Sequence, residues 1–261
     1  MIHSQLPTLF QALLLLCSAM LAGALNGIAG GGSFIAFPAL IFTGVQPIAA
    51  NATNNAALWL GTLASVRAYR SELSTQPREL IMLSATSLIG GVLGSVALLY
   101  TPQTLFTKLI PYLLLLATLL FTFSKPLTTW LRARHQKLSN TESLPMPGIL
   151  LLQLVIATYG GFFGGGIGIL MLATLALMGI ENIHTMNAFK TLLATCINGV
   201  ALIPFIIAGV IAWPQAVLMS IGAMLGGYFS AHYARRLKPE WVRHFVIGVG
   251  FSMTIYFFVR G

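Results

Sequence analysis

The chain has 261 residues, of which 57% are hydrophobic and 7% charged, with a mean hydropathy of +0.86. Soluble domains carry about 25% charged residues, so an ordinary soluble fold is excluded and an integral membrane protein is expected. The net charge of +9 comes from basic residues lying between apolar runs, where they set membrane orientation, so no nucleic-acid partner is expected. All five acidic residues are Glu, which removes the usual carboxylate clusters, and no P-loop pattern occurs. No catalytic residue, metal site or cofactor is therefore expected. The two cysteines, Cys17 and Cys196, lie within apolar runs and read as small buried hydrophobes.

A hydrocarbon core of roughly 30 Å needs about 20 helical residues. Eight runs approach that length: 8 to 28, 47 to 66, 79 to 100, 104 to 124, 148 to 163, 184 to 209, 214 to 234 and 242 to 259. The first imitates a signal peptide with its Ala22-Gly23-Ala24, but it lacks a basic leader and is taken as a mature helix. It runs into a glycine triplet, Gly30, Gly31 and Gly32, followed by an apolar stretch from Ser33 to Thr43. At about 1.5 Å per residue that stretch reaches only half the bilayer and is expected as a half-helix.

The next run carries Asn51-Ala52, Thr53, Asn54 and Asn55, and two more runs complete the first half. A polar, basic linker from 125 to 147 follows. The pattern then returns: a second triplet at Gly164, Gly165 and Gly166, a half-helix from Ile167 to Met178, and Asn187-Ala188 with Lys190 and Thr191. The distance from triplet to Asn-Ala pair is 21 residues in the first copy and 23 in the second. A further pair of landmarks, Gly90-Gly91-x-x-Gly94 and Gly222-x-x-x-Gly226-Gly227, predicts tight helix contacts in lipid.

Basic residues flank three connections: Arg67, Arg70 and Arg78; Lys125, Arg132, Arg134 and Lys137; and Arg235, Arg236, Lys238 and Arg243. These loops are expected in the cytoplasm and both termini outside. Each long-plus-half pair must then return to the side where it began, as a re-entrant hairpin folded at its glycines. The expected fold is an all-α polytopic membrane protein of two inverted repeats, 1 to 124 and 148 to 261. Each repeat is a glycine-broken hairpin plus three transmembrane helices, the architecture of many secondary transporters.

Irregular backbone at membrane depth must be buried in protein or line a wet cavity. A helix starting after each triplet presents unpaired N–H groups and a positive dipole end, so the two triplets are expected to cradle an anion. Ser33 adds a hydroxyl that its counterpart Ile167 lacks. Asn51, Thr53, Asn54 and Asn55 face one cradle, and Asn187, Lys190 and Thr191 the other. Aligning the Asn-Ala pairs sets Lys190 opposite Asn54. A lysine within a membrane helix costs roughly 2.5 to 3.5 kcal/mol, so Lys190 is either a ligand for the anion or a snorkelling side chain. Glu181 and His184 flank a turn where they read as interfacial or as proton carriers. His232 and His244 read as interfacial, and Asn198 as a polar group at a kink before Pro204.

With these residues in place, the chain resembles the TauE/SafE family of sulfite exporters. The resemblance rests on G-x-x-G-G-G-S-x-x-x-x-P-x-L at Gly27 to Leu40, on Gly44, Pro47, Ala50 and Thr53, and on the second triplet with Asn187-Ala188. Leu172 stands where the second copy would repeat Pro38, and Phe189 where it would repeat Thr53. The resemblance implies export of sulfite, sulfonates or related organic anions through the cell membrane, in contact with lipid. Proton or sodium coupling is optional in that reading. An anion channel would use the same helix ends but need a continuous pore. An intramembrane enzyme is the third class, and Ser33 has no evident His partner for it.

Overall fold

The computed structural model describes residues 7–28, 31–68, 73, 77–124, 145–180, 182–233 and 239–260. Among the described residues it is all helical: α1 (Leu9–Ile28), α2 (Ser33–Phe42), α3 (Pro47–Ala68), α4 (Pro77–Tyr100), α5 (Gln103–Thr122), α6 (Met146–Phe162), α7 (Ile167–Leu177), α8 (Ile183–Ile207), α9 (Trp213–Tyr233) and α10 (Pro239–Arg260). The eight long runs and two half-helices of the sequence reading each correspond to one of these. Proline sets most of the starts. Pro47, Pro77 and Pro239 open their helices, Pro102 and Pro145 stand just before α5 and α6, and Pro214 is the second residue of α9. Proline has no N–H to lose in a first turn, and its fixed φ suits that position. Asn182 caps α8, its Oδ1 accepting from the His184 and Thr185 N–H groups at 2.8 and 3.4 Å.

Among the described residues four helices are long and apolar enough to cross a membrane by length and composition: α1 over Leu9–Asn26, α4 over Arg78–Tyr100, α5 over Gln103–Thr122 and α8 over His184–Ile207. α3 has the length but carries Asn51, Thr53, Asn54 and Asn55, and the polarity that lowers its hydropathy is the polarity of the candidate site. Many large side chains on the outer faces are exposed, including Leu13, Ile89, Leu151, Val155, Ile207 and Val217. That is the surface expected of a polytopic membrane protein, whose solvent there is lipid.

The pairing of helices follows the repeated sequence pattern. α1 packs on α9 and α6 on α4; α3 packs on α9 and α8 on α4; α2 touches α10 and α7 touches α5. Exchanging the two halves maps each of these contacts onto its partner, while α3 against α8 and α5 against α10 map onto themselves. Glycine makes the long contacts close. A Cβ at Gly94 would fall on the Thr158 carbonyl of α6, and one at Gly226 on the Met20 carbonyl of α1. Small residues let backbones approach where lipid supplies no hydrophobic drive between helices. Two apolar clusters result, one around Phe34, Phe37 and Leu40 of α2 and one around Met171 and Leu175 of α7. Each half-helix is thus enclosed by protein.

Gly30, Glu181 and the linker from 125 to 144 lie outside the described residues, as do the side chains of Arg67, Arg70 and His232 and the cluster Arg235, Arg236 and Lys238. Lys108 is exposed on the second turn of α5.

Candidate functional site

At the first break Gly31 has φ +90°, a left-handed conformation that glycine adopts without cost. The Gly32 N–H donates to Asn26 Oδ1 at 2.8 Å. The N–H groups of Phe34 and Ile35 turn back to the carbonyls of Gly31 and Gly32 at 3.0 and 3.1 Å. Most of the backbone donors expected to face an anion are therefore already engaged. What the first break offers is side chains. Asn54 Nδ2 donates to Ser33 Oγ at 3.2 Å, which leaves the serine O–H to donate elsewhere. Asn54 is 4% exposed, and its Oδ1, like that of Asn55, is buried without a hydrogen-bond partner.

The second break is built differently. Gly164 and Gly166 have φ +81° and +76°, and Tyr159 O–H donates to the Gly165 carbonyl at 2.7 Å. Lys190 lies along the first turn of α7: a Cβ at Gly168 would sit 3.3 Å from Lys190 Cδ. Its Nζ donates to Asn187 Oδ1 at 3.0 Å, and no carboxylate pairs with it among the described residues. Asn54 and Lys190, matched from the sequence, thus occupy matching places in the fold, each on the first turn of the half-helix in its own half. The ammonium is the difference between them.

The last helix of the opposite half backs each break. A Cβ at Gly31 would lie 2.9 Å from Val246 Cγ1 of α10, and one at Gly166 would lie 3.3 Å from Ala117 Cα of α5. The triplets are therefore closely packed, and bulk placed there would strain the fold as well as any site.

Two of the remaining candidates, Asn51 and Thr53, bind the halves together. Asn51 Nδ2 donates to the Phe162 carbonyl at 3.0 Å, at the end of α6. Thr53 Oγ1 accepts from the Ala212 N–H at 3.0 Å, which caps the start of α9. Thr191 Oγ1 bonds to the Asn187 carbonyl one turn back at 2.7 Å. Trp59 Nε1 donates to the Thr195 carbonyl at 3.0 Å. Trp59 and Thr195 each stand eight residues after the Asn of their Asn-Ala pair, so α3 and α8 touch at equivalent positions. His184 is exposed at the head of α8, and Asn198 is half-buried.

Three participants were absent from the sequence reading: Asn26, Tyr159 and Trp59. The first two share a signal, a polar side chain six residues before the glycine it bonds. One accepts from the break and the other donates to it.

Two half-helices, each enclosed by protein and facing a polar position on the following helix, with a lysine ammonium held by Asn187 and by no carboxylate among the described residues, are features of a membrane transporter. A model of the family described as Sulfite exporter TauE/SafE matches residues 15–257, and the chain belongs to that family. It is 28% identical over 242 residues to a "Probable membrane transporter protein" of Haemophilus influenzae, covering 92% of each chain. It is 26% identical over 244 residues to "Probable membrane transporter protein ORF9" of a Sinorhizobium species, covering 92% of this chain and 90% of that one. It is 27% identical over 241 residues to "Probable membrane transporter protein YfcA" of Escherichia coli K12, covering 90% and 85%. No solved structure matches the chain.

Proposed function

We propose that this transporter is a secondary carrier or facilitator that exports small oxyanions such as sulfite or organosulfonates across the cell membrane. Its two halves, 1 to 124 and 148 to 261, are inverted repeats joined by a cytoplasmic linker, with re-entrant hairpins at the glycine breaks and both termini outside. The observation that carries this reading is the Lys190 ammonium on the first turn of α7, bonded to Asn187 Oδ1 at 3.0 Å. A cation within an apolar helix, with no carboxylate beside it among the described residues, is expensive unless an anion joins it. Gly31, Gly32, Ser33, Asn54 and Asn55 form one flank of the site, held in place by Asn51 and Thr53 through their bonds to Phe162 and Ala212, and Gly164, Gly165, Gly166, Asn187, Lys190 and Thr191 form the other. Gly30 belongs to the first flank by sequence. The backbone contributes less than the bare sequence suggested, and side chains on α3 and α8 contribute more.

An inside-negative potential favours outward movement of each negative charge by about 2.3 kcal/mol per 100 mV, so export needs no ATP. The test is flux from proteoliposomes loaded with labelled sulfite, an organosulfonate or a carboxylate, with and without proton and sodium gradients. Saturable anion efflux driven by an inside-negative potential is expected. Absence of flux for all three anions under every gradient would remove the proposal. Single-cysteine labelling checks the orientation separately: a membrane-impermeant probe applied outside should react at Ser4→Cys and not at Ser139→Cys, and the reverse result would invert the topology.

A further inference from the structure

The first half of the site contains a feature that a simple anion does not explain. Asn54 is almost wholly buried, its Nδ2 donates to Ser33 Oγ at 3.2 Å, and its Oδ1 has no partner. Asn55 Oδ1, one residue on, is also buried and unpartnered. A buried acceptor left without a donor costs about as much as a lost hydrogen bond, so such atoms normally have a protein or water partner. Both atoms are on α3 at the level where Asn54 meets the first residue of α2. A fully deprotonated oxyanion has only lone pairs, and can bond to neither. The Ser33 O–H, by contrast, is free to donate to an anion, because that oxygen is already accepting from Asn54.

We infer that the ligand of this site is an anion that carries its own hydrogen-bond donor: a hydroxyl- or amino-substituted sulfonate, or a hydrogen oxyanion. The inference rests on the anion reading above. The Ser33 hydroxyl meets an anionic oxygen, and the donor on the ligand meets Asn54 Oδ1, with Asn55 Oδ1 as the second acceptor. Discrimination follows from the penalty side of hydrogen bonding. An anion of equal charge and size without a donor would leave the buried amide oxygen unpaired, and sites of this kind reject such analogues.

The test compares 2-hydroxyethanesulfonate with propanesulfonate, which have one negative charge each and nearly the same volume, by calorimetric titration of the purified full-length chain in detergent. The wild type is expected to bind the hydroxyl anion roughly tenfold or more tightly. Asn54→Leu, which keeps the shape and removes the amide, should bring the two together, and Asn54→Ser serves if the leucine variant does not fold. Equal affinity of the wild type for both anions would overturn the inference and leave the anion reading intact. That is the result expected if the Asn54 amide turns over, so that Ser33 donates to Oδ1 and Nδ2 faces the ligand. If neither anion binds and sulfite does not bind either, the anion reading falls and this inference with it. If both anions bind only in sodium and not in choline, and Asn54→Ser abolishes that dependence, the acceptors belong to a cation and the inference is overturned.

Discussion

Replacing Lys190 by Met tests the charge with little change of shape. The aliphatic stem that covers Gly168, with Cδ 3.3 Å from where a Cβ would stand, is retained in large part by the methionine chain. One hydrogen bond is lost, Nζ to Asn187 Oδ1 at 3.0 Å, and Asn187 is half-buried, so water can replace the lost donor. The folded protein should therefore be no less stable. Binding is another matter. An oxyanion about 4 Å from the ammonium gains roughly 4 kcal/mol at an effective dielectric near 20, and truncating one member of a buried charge pair costs about 2 to 5 kcal/mol. At about 1.4 kcal/mol per factor of ten, sulfite affinity should fall on the order of 30-fold to 5,000-fold. Lys190→Arg should retain part of it, because the charge survives while the broader guanidinium meets α7 in a different geometry. The assay is calorimetric titration of sulfite into purified protein, with proteoliposome flux alongside. Affinity and flux within about twofold of wild type for Lys190→Met in well-folded protein would refute the reasoning and make the lysine a snorkelling residue.

Thr53→Val should lower stability by about 1 to 2 kcal/mol, since it removes the acceptor of the Ala212 N–H that caps α9, while the folded fraction keeps its flux; thermal unfolding and flux together separate the two effects. Gly94→Ala and Gly226→Ala should each cost about 1 to 3 kcal/mol, because the added methyl meets the Thr158 or the Met20 carbonyl across a helix contact; unchanged melting temperatures would contradict the packing. Gly31→Val should reduce folded yield as well as transport, since φ +90° resists a β-branched residue and Val246 fills the space; a yield equal to wild type with flux intact would show that this glycine is neither tightly packed nor part of the site.

Helix limits were legible because apolar runs interrupted by glycine and proline state their own ends. α2 ends at Phe42 and α7 at Leu177, each within a residue of the expected stop. The match of Asn54 with Lys190 was legible for a similar reason, as two copies of one pattern can be laid side by side. The pairing of α1 with α9 and of α6 with α4 was not, because it depends on contacts between residues some two hundred or some seventy positions apart. Tyr159 and Asn26 were missed because a single polar residue before a glycine run has many ordinary uses, and only the fold brings it back to the break. At the first break the backbone offers fewer free donors than a bare helix start would, for a physical reason: Phe34 and Ile35 satisfy their own N–H groups on Gly31 and Gly32, in the tight i to i+3 manner common at helix starts.

The contact of Trp59 with Thr195 has a geometric consequence. When two equivalent halves exchange conformations, every contact between them is replaced by its mirror in sequence, except those joining a position to its own equivalent. Trp59 on α3 and Thr195 on α8 are such a pair, and Gly199 lets the indole sit against α8, with Trp59 Nε1 2.8 Å from where its Cβ would be. In the carrier proposed above, a rocking movement of one half against the other would turn about this point as a fulcrum, and the Ser33–Asn54 and Gly168–Lys190 ends of the lever would exchange their arrangements. Because only one end carries a charge, the two positions of that lever would differ in energy, and an anion bound at Lys190 would shift the balance between them.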